Sequence, residues 1–122
     1  MNTLTPCPCG TGHLLASCCH RYHAGEPAPD AVSLMRSRYT AYVLQNSAYL
    51  KRTWHPRTCP RSLDLADGPR WSKLEILDHG GNRRKAWVEF IAHYNGGQLH
   101  EKSRFAYEQG AWVYVDGTIL DS

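Results

Sequence analysis

The sequence predicts an α+β protein with a cysteine-rich segment, then helices, then an antiparallel sheet. Four of its five cysteines lie within the first 19 residues. Apolar residues recur at helical spacing between about residues 30 and 54; beyond Trp71 the period changes, with glycine-containing turns and a plain alternation from Lys85 to Tyr94. Helices followed by consecutive antiparallel strands form an α+β fold in which the helices pack on the sheet.

Composition is that of an ordinary globular protein. The chain has 122 residues, 42% of them hydrophobic and 20% charged, which suits one core rather than two. No run approaches the roughly 18 apolar residues of a membrane span, and the first residues lack the basic and apolar regions of a signal peptide. We therefore expect a cytosolic protein without a membrane partner. A net charge of +3 is too small to indicate nucleic-acid binding.

The clustered cysteines Cys7, Cys9, Cys18 and Cys19 predict a zinc site. In a cytosolic protein, crowded cysteines indicate metal binding rather than disulfides, and a bridge within either close pair would be strained. Four thiolates around Zn²⁺ make a closed structural site. His20 is the alternative to Cys19 as fourth ligand, and we favour Cys19 because it completes an all-sulfur tetrahedron.

The residues between the cysteines suit such a site. Gly10 and Gly12 allow positive φ angles that turn backbone N–H groups toward the sulfurs. Residues 13–17 are expected to form a helical turn that delivers the second cysteine pair. Metal binding, worth about 10–16 kcal/mol in structural zinc peptides, would fold a segment this short. We place this zinc knuckle at residues 1–24 and a second domain at residues 25–122.

Residues 6–19, Pro6-Cys-Pro-Cys-Gly-Thr-Gly-His-Leu-Leu-Ala-Ser-Cys-Cys19, resemble the SEC-C motif, the zinc knuckle named from the C-terminus of the SecA secretion motor. Cysteine spacing, glycines and intervening length all agree. The resemblance implies zinc coordination and a docking surface for proteins, which in SecA are the SecB chaperone and the ribosome. SEC-C motifs usually carry several lysines before the second cysteine pair, whereas this chain has His13-Leu-Leu-Ala-Ser17 there. We therefore expect the knuckle to dock an unidentified protein rather than SecB or the ribosome.

Two helices are predicted after this segment. The first is capped by Asp30 and runs to about Gln45, with Arg36 and Arg38 off its apolar stripe. We expect these two arginines to be solvated or paired with a neighbouring carboxylate, and the alternative is that they hold an anionic ligand. The apolar residues at amphipathic helical spacing are Met35, Tyr39, Tyr42 and Val43. The second is capped by Asn46 and Ser47, extends through Trp54 and is terminated by Pro56.

Four strands follow an irregular stretch at residues 56–70. The predicted strands are Trp71–His79, Lys85–Tyr94, Leu99–Tyr107 and Ala111–Asp116. Turns are predicted at Gly80-Gly81-Asn82, at Asn95-Gly96-Gly97 and at Gln109-Gly110. In the second strand, residues 86, 88, 90 and 92 face one way and residues 87, 89, 91 and 93 the other.

Several stretches resemble the central domain of the YchJ family of uncharacterised bacterial proteins. They are Leu34-Met-Arg-Ser-Arg-Tyr-Thr-Ala-Tyr42, Tyr49-Leu-Lys-Arg-Thr-Trp-His-Pro56, Glu101-Lys-Ser-Arg-Phe105 and Trp112-Val-Tyr-Val-Asp-Gly-Thr118. Together with the knuckle, the resemblance spans nearly the whole chain. It implies a nuclear-transport-factor-two-like cone, in which helices packed on a curved antiparallel sheet enclose a pocket.

Fold alone does not decide what such a cone does. The candidate pocket residues are potential walls, acids, bases or anion holders: Tyr39, Tyr42, Trp54, His55, Glu89, His93, Glu101 and Arg104. Glu89 and His93 share one side of a strand, which would allow an acid–base pair, whereas Asp116 before Gly117 is typical of a turn. No nucleophile–base constellation is visible, which favours a binding module over an enzyme.

The leading hypothesis is a zinc-binding cytosolic interaction module. Its knuckle docks a protein partner, and its cone binds a small ligand or a second copy of the chain. The alternative is an enzyme acting on a small molecule in the cone, with zinc purely structural. The two differ in whether Glu89, His93 or Glu101 converges on one enclosed, water-accessible cavity.

Overall fold

Residues 4–66 and 68–120 are described by the computed structural model, which has the expected order of helices and strands. A 3-10 turn at Leu15–Ser17 precedes α1 (Cys19–His23), α2 (Ala31–Leu44) and α3 (Ser47–Arg52). The strands are β1 (Trp71–Gly81), β2 (Lys85–Tyr94), β3 (Gly97–Glu108) and β4 (Ala111–Ile119). None of the helices in this described part has the length and apolarity needed to traverse a bilayer.

The four strands form one antiparallel sheet in the order β1-β2-β3-β4. Its register shifts between Ile76 and Asp78 in β1 and between Arg104 and Phe105 in β3. Such irregularities bend a strand and increase its twist, so the sheet curves around the helices. On β2 the buried residues are Val88, Phe90 and Ala92, which confirms the predicted alternation.

Helix α2 lies at the centre of the molecule. It packs on β1, β2 and β4 and also contacts α1 and α3. Buried residues therefore occupy nearly every side of it: Ala31, Leu34, Met35, Ser37, Arg38, Tyr39, Thr40 and Ala41. The prediction of a single apolar stripe was wrong for this reason. The expectation of a solvated Arg38 was also wrong, because its side chain is covered on all sides and the residue is 3% exposed.

The helix caps follow the sequence, but α3 is shorter than predicted. Asp30 accepts a hydrogen bond from the Ser33 N–H at 2.7 Å, and Asn46 caps α3 in the same way. Helix α3 ends at Arg52, before the predicted Trp54. The following backbone pairs with β4 instead, since Tyr114 N–H donates to the Thr53 carbonyl at 2.8 Å.

The first turn of the sheet depends on Gly81. Strand β1 continues through this residue, so the turn begins at Asn82, two residues later than Gly80-Gly81-Asn82 implied. Gly81 has a φ of +123°, and a Cβ there would overlap with the Lys85 carbonyl oxygen and the Ala86 Cα. Only glycine fits this close approach of two backbones.

Candidate metal centre and cone cavity

The four clustered cysteines come together in the folded chain. Their sulfur atoms all lie within 4.8 Å of one another, and all four residues are buried. The Sγ atoms of Cys9 and Cys18 are 3.6 Å apart, close to the roughly 3.8 Å separation in a tetrahedral site with Zn–S bonds of about 2.3 Å. The arrangement fits a single divalent ion that prefers sulfur ligands.

Local backbone structure positions these sulfurs. The Cys7 N–H donates to the His13 carbonyl at 2.9 Å and closes a loop around the first cysteine pair. Gly10 and Gly12 have φ angles of +87° and +88°, as the sequence predicts. The 3-10 turn Leu15–Ser17 presents Cys18, and the first residue of α1 is Cys19.

The geometry favours Cys19 over His20 as the fourth ligand. Cys19 belongs to the sulfur group and is 1% exposed, whereas the His20 side chain is exposed to solvent. Hydroxyl groups complete the surroundings: Thr11 Oγ1 lies 3.2 Å from Cys18 Sγ. All four sulfur positions of a tetrahedron are thus accounted for without a histidine.

Hydrogen bonds among the thiols shift their pKa values in opposite directions. Bonds from the Cys19 and Cys9 side chains hold the pKa of Cys7 well below its usual range. The bond to Cys7, together with burial, raises the pKa of Cys19. These hydrogen bonds therefore favour a proton on Cys19 over one on Cys7. A divalent ion would displace such protons, because thiolates are the metal-binding form.

The cysteine segment packs directly on α2. Arg36 Nη1 donates to the Cys9 carbonyl oxygen at 2.6 Å, and Thr40 Oγ1 lies 3.6 Å from Cys7 Sγ. The cysteines also belong to the same hydrophobic cluster as Leu34 of α2. The segment and the sheet-bearing body therefore share one core, and the domain boundary at residue 24 stays a prediction.

A second site is a cavity of about 180 Å³ between α2 and the inner face of the sheet. Its apolar lining consists of Met35, Trp71, Phe90, Ala92 and Leu99. Its polar lining consists of Arg38, Tyr39, Tyr42, Glu101, Ser103 and Tyr114. The α2 residues Met35, Arg38 and Tyr39 are buried, whereas Tyr42, Trp71, Leu99, Glu101 and Tyr114 are half-buried.

Arg38 brings a buried positive charge to this cavity. Its guanidinium carbon lies 4.9 Å from the Trp54 ring centroid and 4.6 Å from that of Tyr114. Nη1 donates to the Leu50 carbonyl and to Thr53 Oγ1, both at 2.8 Å. No carboxylate in residues 4–66 and 68–120 forms an ion pair with it. Cation–π contacts and neutral acceptors therefore hold this charge.

Glu101 brings the opposite charge. Its carboxylate accepts a hydrogen bond from Ser103 Oγ at 2.6 Å. A Cβ at Gly117 would overlap with this carboxylate, so the missing side chain makes room for it. Burial, with a further contribution from Glu101, raises the pKa of both Tyr42 and Tyr114. Both phenols therefore stay protonated and can donate hydrogen bonds at neutral pH.

Comparison with known proteins identifies the family. The family model described as YchJ, middle NTF2-like domain, matches residues 30–117. The chain belongs to the YchJ family. UPF0225 protein SCO1677 of Streptomyces coelicolor is 52% identical to this YchJ-family chain over 120 residues, covering 95% of it and 97% of the relative. A UPF0225 protein of Deinococcus radiodurans is 48% identical over 117 residues, covering 91% and 87%.

Two solved structures share the architecture of this YchJ-family protein. RPA3114 of Rhodopseudomonas palustris, a SEC-C motif containing protein solved in solution, has a TM-score of 0.84 and 29% identity, covering 96% of this chain and 100% of its own. A crystal structure of a SEC-C motif containing protein from Psychrobacter arcticus has a TM-score of 0.80 and 30% identity, covering 98% and 85%. The predicted SEC-C motif and nuclear-transport-factor-two-like cone are confirmed.

The cavity of the YchJ-family protein contains some of the predicted pocket residues. Tyr39, Tyr42 and Glu101 line it, and Trp54 lies behind Arg38. Arg38, which the sequence suggested either as an anion holder or as a solvated residue, also lines it. Arg38 lies four residues after Leu34, so the two share one side of α2, and both are buried there.

The remaining predicted pocket residues lie outside the cavity. Each contacts another partner: His55 lies 3.0 Å from Glu108, Glu89 lies 2.7 Å from His100, His93 lies 2.5 Å from Glu75, and Arg104 forms an ion pair with Asp116 at 2.5 Å. Glu89 and His93, which shared one side of a strand and could have paired, do not contact each other, because each side chain meets a partner on a neighbouring strand. Asp116, expected in a turn, lies within β4.

Proposed function

We propose that this YchJ-family protein is a zinc-binding module whose cysteines hold one structural Zn²⁺ and whose cone binds a small molecule. The observation that carries the proposal is the group of four buried sulfur atoms within 4.8 Å of one another. Sulfur ligands favour Zn²⁺ over harder ions such as Mg²⁺. Four protein ligands leave no open position for water or substrate, so the role of the ion is structural.

The ion would tie the N-terminal segment to α2. Four thiolates contribute −4 and the metal +2, which changes the formal charge of the chain from +3 to about +1. Without the ion, the thiols would take up protons again, and the segment would lose the metal–sulfur bonds that hold it closed. Its release would uncover the side of α2 that carries Arg36 and Thr40.

Metal content tests this proposal. We expect about one zinc per chain after dialysis in reducing buffer, and a large loss in Cys9→Ser and Cys18→Ser. Cys59→Ser is the matched control, since Cys59 lies outside the sulfur group. Zinc well below one per chain in the unmodified protein, or an equal loss in Cys59→Ser, would contradict the proposal.

The outward side of the cysteine segment is the surface we propose for a protein partner. Leu4 is 69% exposed and Leu14 is 45% exposed. An antiparallel β-bridge joins the backbone of Leu14 to that of Pro6, two residues after Leu4. Exposed leucines on a segment made rigid by metal offer apolar contact at a low cost in conformational entropy.

A docking experiment compares two exposed positions of this segment. We expect Leu14→Asp and zinc chelation to remove the same proteins from an affinity capture, and Ala16→Asp, at another exposed residue, to retain them. Capture of an unchanged set of proteins by Leu14→Asp would argue against this surface.

Small-molecule binding is favoured for the cone because a cavity with a polar end lies within it. The alternative of acid–base catalysis has less support. Of Glu89, His93 and Glu101, only Glu101 lines the cavity, and no histidine or second carboxylate of the described residues lies beside it. A lone carboxylate suits ligand binding better than paired proton transfer. Association of two copies stays a prediction that light scattering would test.

A further inference from the structure

We propose that the cone cavity binds a small zwitterion of the α-amino acid type with an apolar side chain. This inference rests on the small-molecule function proposed above for the cone. The carboxylate of the ligand would meet Arg38 and Tyr114, its ammonium group would meet Glu101, and its side chain would occupy the apolar part of the cavity.

The size of the cavity limits the ligand. Its volume is about 180 Å³, somewhat more than the roughly 150 Å³ of an engineered cavity that takes up benzene. That space suits about eight or nine non-hydrogen atoms, as in valine or leucine. Buried Met35, Phe90 and Ala92 form apolar walls, and these favour an aliphatic side chain over a polar one.

The buried Arg38 side chain favours an anionic group. Arg38 is 3% exposed, and no carboxylate of the described residues pairs with it. A buried charge without a counter-ion is costly, so an incoming anion gains more here than at a solvated arginine. The Tyr114 hydroxyl, kept protonated by burial, adds a second donor. A ligand carboxylate satisfies both groups.

Glu101 favours a cationic group. It forms no ion pair with any described lysine, arginine or histidine, and Ser103 is its hydrogen-bond donor. Aromatic rings of Tyr42 and Trp71 also line the cavity, and ring faces attract ammonium groups. An ammonium group at this position therefore meets both a carboxylate and aromatic walls.

The two charges act together because they share one cavity and do not pair with each other. A ligand with only a negative charge would face the carboxylate of Glu101, and one with only a positive charge would face Arg38. A zwitterion satisfies both. Selectivity should therefore come from the presence of both charges on one small apolar body.

Four probes with the same branched apolar body test this selectivity in the zinc-loaded full chain. They are L-leucine, 4-methylpentanoate, 3-methylbutylamine and 3-methyl-1-butanol, titrated by calorimetry or by NMR chemical shifts. Loss of one charged contact should weaken binding about tenfold or more, so leucine should bind best. Equal binding of leucine and a singly charged or neutral probe would overturn the zwitterion while leaving the cavity a binding site. No binding by any probe would overturn small-molecule binding as well.

Variants assign the ammonium contact. Glu101→Gln removes the charge, and Gly117→Ala displaces the carboxylate, a movable side-chain end, without removing it. Both should weaken leucine and 3-methylbutylamine about tenfold and leave 4-methylpentanoate no weaker. Glu89→Gln is the matched control, because this carboxylate pairs with His100 on the outer face of the sheet. Unchanged leucine affinity in Glu101→Gln, with circular dichroism and zinc content intact, would overturn the assignment.

Discussion

Leu15 tests whether the cysteine segment stabilises the body of the protein. It is 2% exposed and shares a hydrophobic cluster with Leu34 of α2 and Leu74 of β1. Leu15→Ala removes most of this side chain and leaves a void between segment and body. Because the neighbours belong to the body, the loss should appear in the unfolding of the whole protein.

The expected magnitude follows from burial. Fully buried leucines cost about 2.7–5 kcal/mol on replacement by alanine, and we expect about 3 kcal/mol because a short segment can partly close the void. For a chain of this length, that free energy corresponds to a decrease in Tm of roughly 10 °C. The adjacent Leu14 is 45% exposed, so Leu14→Ala should cost less than about 1 kcal/mol.

Urea unfolding with excess zinc measures this difference. Tryptophan fluorescence reports on the body alone, since the four tryptophans are Trp54, Trp71, Trp87 and Trp112. We expect the midpoint to fall for Leu15→Ala and to stay nearly constant for Leu14→Ala. An unchanged midpoint for Leu15→Ala would refute the shared core, and equal shifts in the two variants would refute the argument from burial.

Three further predictions concern the turn, a helix cap and pH. Gly81→Ala should cost at least about 2 kcal/mol more in urea unfolding than Gly96→Ala, because both have strained φ angles but only the first adds backbone overlap; equal costs would contradict this. Asp30→Ala should lower the free energy of unfolding by about 1 kcal/mol, because the helix cap is lost. An unchanged Tm would refute this role of Asp30. Burial lowers the pKa of His23 in the folded protein. Below about pH 6.5, the unfolded chain therefore binds more protons than the folded chain. Stability relative to His23→Gln should therefore decrease as pH falls from about 6.5 toward the folded pKa, and parallel Tm curves for the two zinc-loaded proteins would contradict it.

Local signals were sufficient for much of the fold. Asp30 and Asn46 cap helices where predicted, because a cap depends on the side chain and the next turn of backbone. Strand β2 follows its predicted bounds, because alternation is a property of the strand itself. Local signals failed at Trp54, where pairing with β4 ended the helix early.

The cavity was only partly predictable. Tyr39 and Glu101 line it as candidates, but the decisive Arg38 was expected in solvent. Sequence patterns normally assign a charged residue to the solvent-exposed side of a helix. That assignment requires the helix to have an exposed side at the position of the residue. The cysteine segment, α3 and the sheet cover α2 on several sides, so the assignment does not hold there.

The sequence by itself determined the cysteine quartet, the order of helices and strands, and membership of a recognisable family. These features depend only on the spacing and periodicity of residues that are close together in the chain. Only the tertiary structure decided which charges face each other. His93 meets Glu75 rather than Glu89, and Arg38 shares a cavity with Glu101. The physical reason is that strand register and the central position of α2 result from packing between distant segments, which no local pattern of residues specifies.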